Sequence, residues 1–138
     1  MTEERGAPRA ATAAVLAQVM LPEDANPDGN VPGGAIMKLS DTAAGVCAAR
    51  YARGRVATVA VENITFISPA QIGDVVTVRA HLIRVGRTSM TIDVTVEGEG
   101  RMSDNARQIS AGRFHFVALD SSGRPTPVPP LLADAAGA

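Results

Sequence analysis

Asp41 stands in the middle of a run, Gly33 to Ala52, built from helix formers and from small or apolar residues that fall on nearly every side of a 3.6-residue wheel. Such a helix has to be buried, and an ionised carboxylate is seldom buried without a partner or a task. Gly34 precedes Asp41 by seven positions, and seven steps of 100° return to within about 20° of the same face, roughly 10 Å further along the axis. The first turn of a helix offers unpaired N–H groups and a partial positive charge, and glycines there let a ligand oxygen approach the backbone. Side chains lean toward the helix N-terminus, so the Asp41 carboxylate points back at those amides across a gap that suits a small polarised group and a water. That is room for a carbonyl. A plainer reading pairs Asp41 with Lys38 one turn away, and the local sequence leaves both open.

The other reactive side chains point elsewhere. Cys47 lies within the same apolar run and reads as a small buried hydrophobe, and a single cysteine fits a reducing cytoplasm. His81 and His115 fall on expected strands with no serine or cysteine nearby, and they read as ordinary strand residues. No metal-ligand cluster and no cofactor motif is visible in the sequence. The 138 residues are 46% hydrophobic and 20% charged, with a formal net charge of −1. That describes a single globular domain, expected over residues 13–130, with disordered tails at 1–12 and 131–138. The thirteen Lys and Arg are scattered along the chain, which argues against nucleic acid or an anionic membrane as a partner. The first residues lack the basic start and apolar core of a secretory signal, and no segment reaches the roughly 20 apolar residues of a membrane span.

The elements that must position Asp41 follow from punctuation and period. Residues 14–20 alternate as a first strand, although their alanine content also permits helix. Residues 21–30 hold two prolines, a glycine and four Asx residues, and read as a loop. The helix is expected to end near Arg53-Gly54, where basic residues suit the dipole and glycine suits a C-cap. Beyond it the period changes to two: strands over 55–67, 75–85, 88–97 and 106–119, joined by a turn at 68–74, a tight reversal at Gly86-Arg87 and a loop at 98–105, with a closing turn at 120–125. Short connections force antiparallel pairing. A helix apolar all round cannot rest half in water on a flat sheet, so the sheet must curl around it or a second copy must cover what remains.

Six stretches in this order resemble the hotdog-fold acyl-CoA thioesterases: Met20 to Gly29, Gly33 to Gly45, Val59 to Phe66, Gly73-Asp74-Val75-Val76, Arg84 to Met90, and Phe114 to Leu119 running into Gly123-Arg124-Pro125. The resemblance implies an α+β hotdog fold, a curved antiparallel sheet of five or six strands wrapped around one long central helix. It implies hydrolysis of fatty or related acyl-CoA, with Asp41 the catalytic carboxylate and Asn26 its partner. The amides of Gly33 and Gly34 then face the thioester carbonyl, and Thr58, Val59, Ala60, Arg87, Thr88 and Ser89 border the coenzyme A channel. Coenzyme A enters as part of the substrate rather than as a cofactor. A two-fold dimer, three dimers to a particle, and an active site shared between subunits are implied as well. Many relatives carry an aromatic residue or histidine just before the glycine pair, where this chain has Pro32, so the pocket beside the helix start is expected to differ.

The chemistry also stands on the residues themselves. A thioester carbonyl is poorly resonance-stabilised, so a carboxylate-activated water and backbone donors suffice without serine or metal. An aspartate near its reference value of about 3.9 is a weak base at neutral pH. Either burial raises it, or the carboxylate attacks directly and forms an anhydride, and the sequence leaves both open. Without the family, Asn26 is a turn former before proline and Arg87 a solvated hairpin residue. Two rival readings are an acyl-CoA-binding module without catalysis and a hotdog hydratase or dehydratase. The latter is expected to carry a histidine near the helix start, where this sequence has none.

Overall fold

The computed structural model of the protein describes residues 12–100 and 105–131. In chain order these form β1 (Ala13–Val19), β2 (Asn30–Val31), α1 (Gly33–Ala52), β3 (Arg55–Phe66), β4 (Ala70–Gln71), β5 (Asp74–Val85), β6 (Ser89–Gly100) and β7 (Arg107–Leu119). A curved five-stranded sheet runs in the order β1-β5-β6-β7-β3, and its neighbouring strands are all antiparallel. The helix packs against all five strands. This is the curved antiparallel sheet around one long helix that the resemblance implies.

The core follows from the two periodicities. Val76, Val78, Ala80 and Leu82 of β5, Met90, Ile92, Val94 and Val96 of β6, and Phe114, Phe116 and Ala118 of β7 are all buried. Alternate residues of each strand thus line the concave face. Ala43, Ala44, Cys47 and Ala48 of α1 are fully enclosed, and their small side chains let the sheet close tightly on the helix. Ile36 and Tyr51 fill the wider space at its two ends. Burying each large side chain contributes about 1.5–3 kcal/mol. One expectation fails here: the helix is not apolar all round in the fold, because Lys38, Thr42, Val46 and Arg50, spaced by four, form an exposed stripe.

Several boundaries differ from expectation for local reasons. The helix ends at Ala52, and its left-handed cap residue is Arg53 at φ 60°, not Gly54; the Arg53 N–H bonds the Ala49 carbonyl. β6 runs on to Gly100, because Gly98 and Gly100 still pair with Val76 and Asp74. The turn expected at 68–74 contains β4, which pairs with β2 in a small second ribbon. Buried Asp74 holds that turn, its Oδ2 accepting from the Gln71 N–H at 2.9 Å and from Arg107 at 2.7 Å. Register shifts mark β3 at Thr58/Ala60 and Glu62/Thr65, with Asn63 at φ 55° inside the second. Another lies between Leu82 and Arg84 on β5.

After β7, the Asp120 carboxylate accepts the N–H groups of Ser122 and Arg124, which lower its pKa together with the Ser122 hydroxyl. The chain then crosses the β5–β6 hairpin as an extended strap. The tails expected at 1–12 and 131–138 lie outside the described residues except for Thr12, which is buried, and Leu131, which packs on the core. Among the described residues no helix is long and apolar enough to cross a membrane.

Candidate active site

Asp41 sits in the third turn of α1, partly exposed, and its Oδ1 accepts the Thr58 hydroxyl at 2.7 Å. Thr58 pairs with buried Phe116 across β3 and β7, so both face the helix side of the sheet. The bond fixes the carboxylate rotamer and leaves Oδ2 without a partner among the described residues. Lys38 makes no ion pair with Asp41 among them, so the plainer pairing is not what the fold uses. Thr58, expected along the coenzyme A channel, has its hydroxyl bonded directly to the carboxylate.

The helix start is open. Pro32 is the N-cap residue and supplies no side-chain cap, while its carbonyl accepts the N–H groups of Ala35 and Ile36. The amides of Gly33 and Gly34 have no partner among the described residues and stand at an exposed position. The two glycines differ in their surroundings. A Cβ at Gly33 would lie 3.3 Å from the Phe66 ring, whereas one at Gly34 would meet nothing within 4 Å. Phe66 therefore walls one side of the helix start, and the space over Gly34 is free. A carbonyl oxygen seated there would face backbone donors on the side from which Asp41 reaches down the helix.

The fold does not bring every expected residue to this place. Asn26 has its Oδ1 occupied by the N–H groups of Asp28 and Asn30 at 3.0 and 3.2 Å, so it builds its own turn. Its amide nitrogen has no partner among the described residues, and no bond joins it to Asp41 within one chain. Val59 and Ala60 are exposed on β3, Val59 at 60%. Arg87, Thr88 and Ser89 form the β5–β6 hairpin, which is tied by Gly86 N–H to Ser89 O and by Ala118 N–H to Thr88 O. That hairpin lies at the far end of the helix, where Tyr51 reaches the strap. Asp41 precedes Ala52 by eleven residues, about 16 Å of helix. One chain therefore separates the glycine pair from the arginine hairpin.

A second constellation was not legible in the sequence. His115 meets Thr91 Oγ1 at 3.1 Å through Nδ1 and Glu62 Oε1 at 2.8 Å through Nε2, linking β6, β7 and β3 on the convex face. Hydroxyl, imidazole and carboxylate stand in the order of a hydrolase triad. Yet Thr91 is buried at 6% exposure, within the β6–β7 ladder. Next to it Arg113 forks onto Asp93 at 2.7 and 3.1 Å, and that carboxylate raises the guanidinium pKa. These are cross-strand staples. Cys47, enclosed by the sheet, has its thiol pushed up to about 11 by burial, which removes it as a nucleophile.

Comparison with known proteins gives this geometry a family. The thioesterase superfamily model matches residues 28–104, which includes α1, Asp41 and Thr58. An uncharacterized acyl-CoA thioester hydrolase of Zymomonas mobilis is 46% identical over 115 residues, 82% of this chain and 76% of that protein. The acyl-CoA thioester hydrolase YciA of Salmonella typhimurium is 36% identical, over 83% of this chain and 89% of its own length. The hexameric thioesterase y2039 of Yersinia pestis superposes with a TM-score of 0.79 at 34% identity, covering 84% of this chain and 94% of that one. The chain belongs to the thioesterase superfamily.

Proposed function

We propose that the protein hydrolyses acyl-CoA thioesters to the free acid and coenzyme A, with Asp41 as the catalytic carboxylate. The observation that carries this reading is the Asp41–Thr58 hydrogen bond on a helix whose glycine start is exposed and has no bonded partner among the described residues. Two relatives more than 35% identical over most of the chain bear the name acyl-CoA thioester hydrolase. The thioester carbonyl oxygen sits over the amides of Gly33 and Gly34, which favour the negative charge that develops there. The Asp41 Oδ2 takes a proton from the attacking water, and Thr58 keeps the carboxylate aimed. The acyl carbon gains the hydroxide, the C–S bond breaks, and the coenzyme A thiolate leaves.

The site is completed by a second copy. β3 is the last strand of the sheet, twelve residues long, with one edge unpaired and Val59, Phe66 and Ile67 exposed along or beyond it. Such an edge invites another strand. Because Thr58 lies on β3, whatever pairs there stands beside Asp41, and a two-fold dimer supplies the partner's asparagine loop with its free amide nitrogen. Three such dimers per particle are in keeping with the hexameric Yersinia relative. A cytoplasmic setting suits the buried thiol of Cys47.

Thiol release across a series of acyl-CoA chain lengths tests the activity, with Asp41→Asn in parallel. Release by the wild type and its loss in the variant are expected. Coenzyme A binding without release would leave only a binding module.

A further inference from the structure

The chain has three phenylalanines, one tyrosine and no tryptophan. Phe114, Phe116 and Tyr51 are enclosed in the core at 2% exposure or less, while Phe66 stands 49% exposed. A half-exposed ring forgoes part of the stabilisation that burial brings, so its position matters. Three atoms at its tip, Cε1, Cζ and Cε2, lie 3.3, 3.3 and 3.6 Å from where a Cβ of Gly33 would stand. The ring thus rests on bare helix backbone beside the glycine amides, and any side chain at 33 would push it away.

The irregularity of β3 puts it there. On the helix side of the strand Thr58 pairs with Phe116 and Val61 with Phe114, both buried. A regular strand would carry that alternation on to 63 and 65 and turn Phe66 to the convex face. The register shift between Glu62 and Thr65 instead sets Asn63 and Ile64 opposite Gly112 alone. Asn63, at φ 55°, is the extra residue, and it brings Ile64 and Phe66 back to the helix side. Ile64 fills the space over Gly112, where a Cβ would lie 3.2 Å from it; Phe66 pairs with buried Ser110 and reaches Gly33. The helix-side row of β3 therefore runs from a hydroxyl at Asp41, through Val61 and Ile64, to an aromatic ring at the helix start.

A thioester carbonyl seated over the amides has two arms. The thiol arm of an acyl-CoA carries amides and phosphates, whereas a fatty acyl arm is apolar throughout. The open face of Phe66 offers apolar surface and no polar group, so it suits the second arm. A strand added along the β3 edge bonds in the plane of the sheet and leaves the ring on the concave face. Resting on the acyl-CoA reading above, we propose that Phe66 is the specificity-determining wall of the acyl arm. Methylenes beyond the carbonyl lie on its open face, and the preferred substrates are aliphatic acyl-CoAs long enough to cover the ring.

The test is kcat/KM for octanoyl-CoA and acetyl-CoA in the wild type, Phe66→Ala and Phe66→Leu. The wild type should prefer octanoyl-CoA. Phe66→Ala should lower the octanoyl-to-acetyl ratio about tenfold, the loss of contact with roughly two methylenes, and Phe66→Leu should recover most of it. A wild-type preference for acetyl-CoA or an unchanged ratio in Phe66→Ala would overturn the proposal. Equal losses for both substrates would do the same, since the ring would then only support the helix start. If the wild type released thiol from neither substrate, the thioesterase reading would fall, and calorimetry with the S-ethyl and S-octyl thioethers of coenzyme A would still decide the role of the ring. Tighter binding of the octyl compound that is lost in Phe66→Ala supports the assignment; equal or absent binding, or a preference kept in the variant, overturns it.

Discussion

On the concave face of the sheet Asp41 accepts a single hydroxyl, from Thr58; on the convex face Glu62 meets His115, which also meets Thr91. Judged by side chains alone, the convex group is the better equipped for hydrolysis, since it holds a histidine at two hydrogen bonds. Its surroundings withhold the rest. The Thr91 hydroxyl is buried between strands, and the neighbouring backbone N–H groups are taken up in the β6–β7 ladder. Asp41 has the poorer side-chain company and the better backbone: an exposed helix start with two glycine amides unbonded, and an Oδ2 without a partner among the described residues. Under the proposed mechanism, access and free donors, more than the residue types present, distinguish the face of Asp41 from that of His115.

The comparison breaks most sharply on substitution of the two carboxylates. Asp41→Asn keeps the volume and removes the basic oxygen, and thiol release should fall by about a hundredfold or more while circular dichroism is unchanged. Glu62→Gln should stay within about threefold of wild type, with stability altered by no more than about 1 kcal/mol because the pair is half-exposed. Reversed results would move the site to the convex face.

Thr58→Val, close in shape but without the hydroxyl, should lower kcat about tenfold by freeing the carboxylate rotamer, and Thr58→Ser should restore it. Loss of KM alone would return Thr58 to the channel wall. The glycines separate stability from rate. Gly34→Ala enters open space and should raise stability by up to about 1 kcal/mol of helix propensity, read as a higher Tm, while its methyl lowers kcat/KM at the carbonyl seat. Gly33→Ala must displace the Phe66 ring and should be the less stable of the two, read by thermal melts.

The smallest effect concerns Cys47. Burial raises its thiol from 9.0 to about 11, so its stabilising share is full below the unfolded value and fades as pH rises through the folded one. Alkylation at pH 8 should be slow in the native protein and fast in denaturant. Rapid native alkylation would contradict its burial.

The sequence carried the architecture because its signals are local. The alternation of Met90, Ile92, Val94 and Val96 states one buried face, and the helix run between the glycine pair and Arg53 states its own length. What it hid is relational. Thr58 stands seventeen positions from Asp41 on another element, and only the pairing of β3 with β7 turns its hydroxyl toward the helix. The β5 bulge at Ile83 is carried by one aliphatic residue among many, so the outward turn of Arg84 is unreadable without the register of β6. Arg53 takes the left-handed cap beside an available glycine because the helix length is set by packing on the strands, and propensity yields to it.

The most direct test of the account is subunit complementation between Asn26→Ala and Asp41→Ala. Each variant alone should be inactive. Unfolded and refolded together in equal amounts, they form mixed dimers in which one site carries both substitutions and the other carries neither, so roughly a quarter of wild-type activity should return by random two-fold pairing. In mixtures shown by mass to contain hybrids, recovery no greater than the summed residual activities would contradict a site built from Asp41 of one copy and the asparagine loop of another.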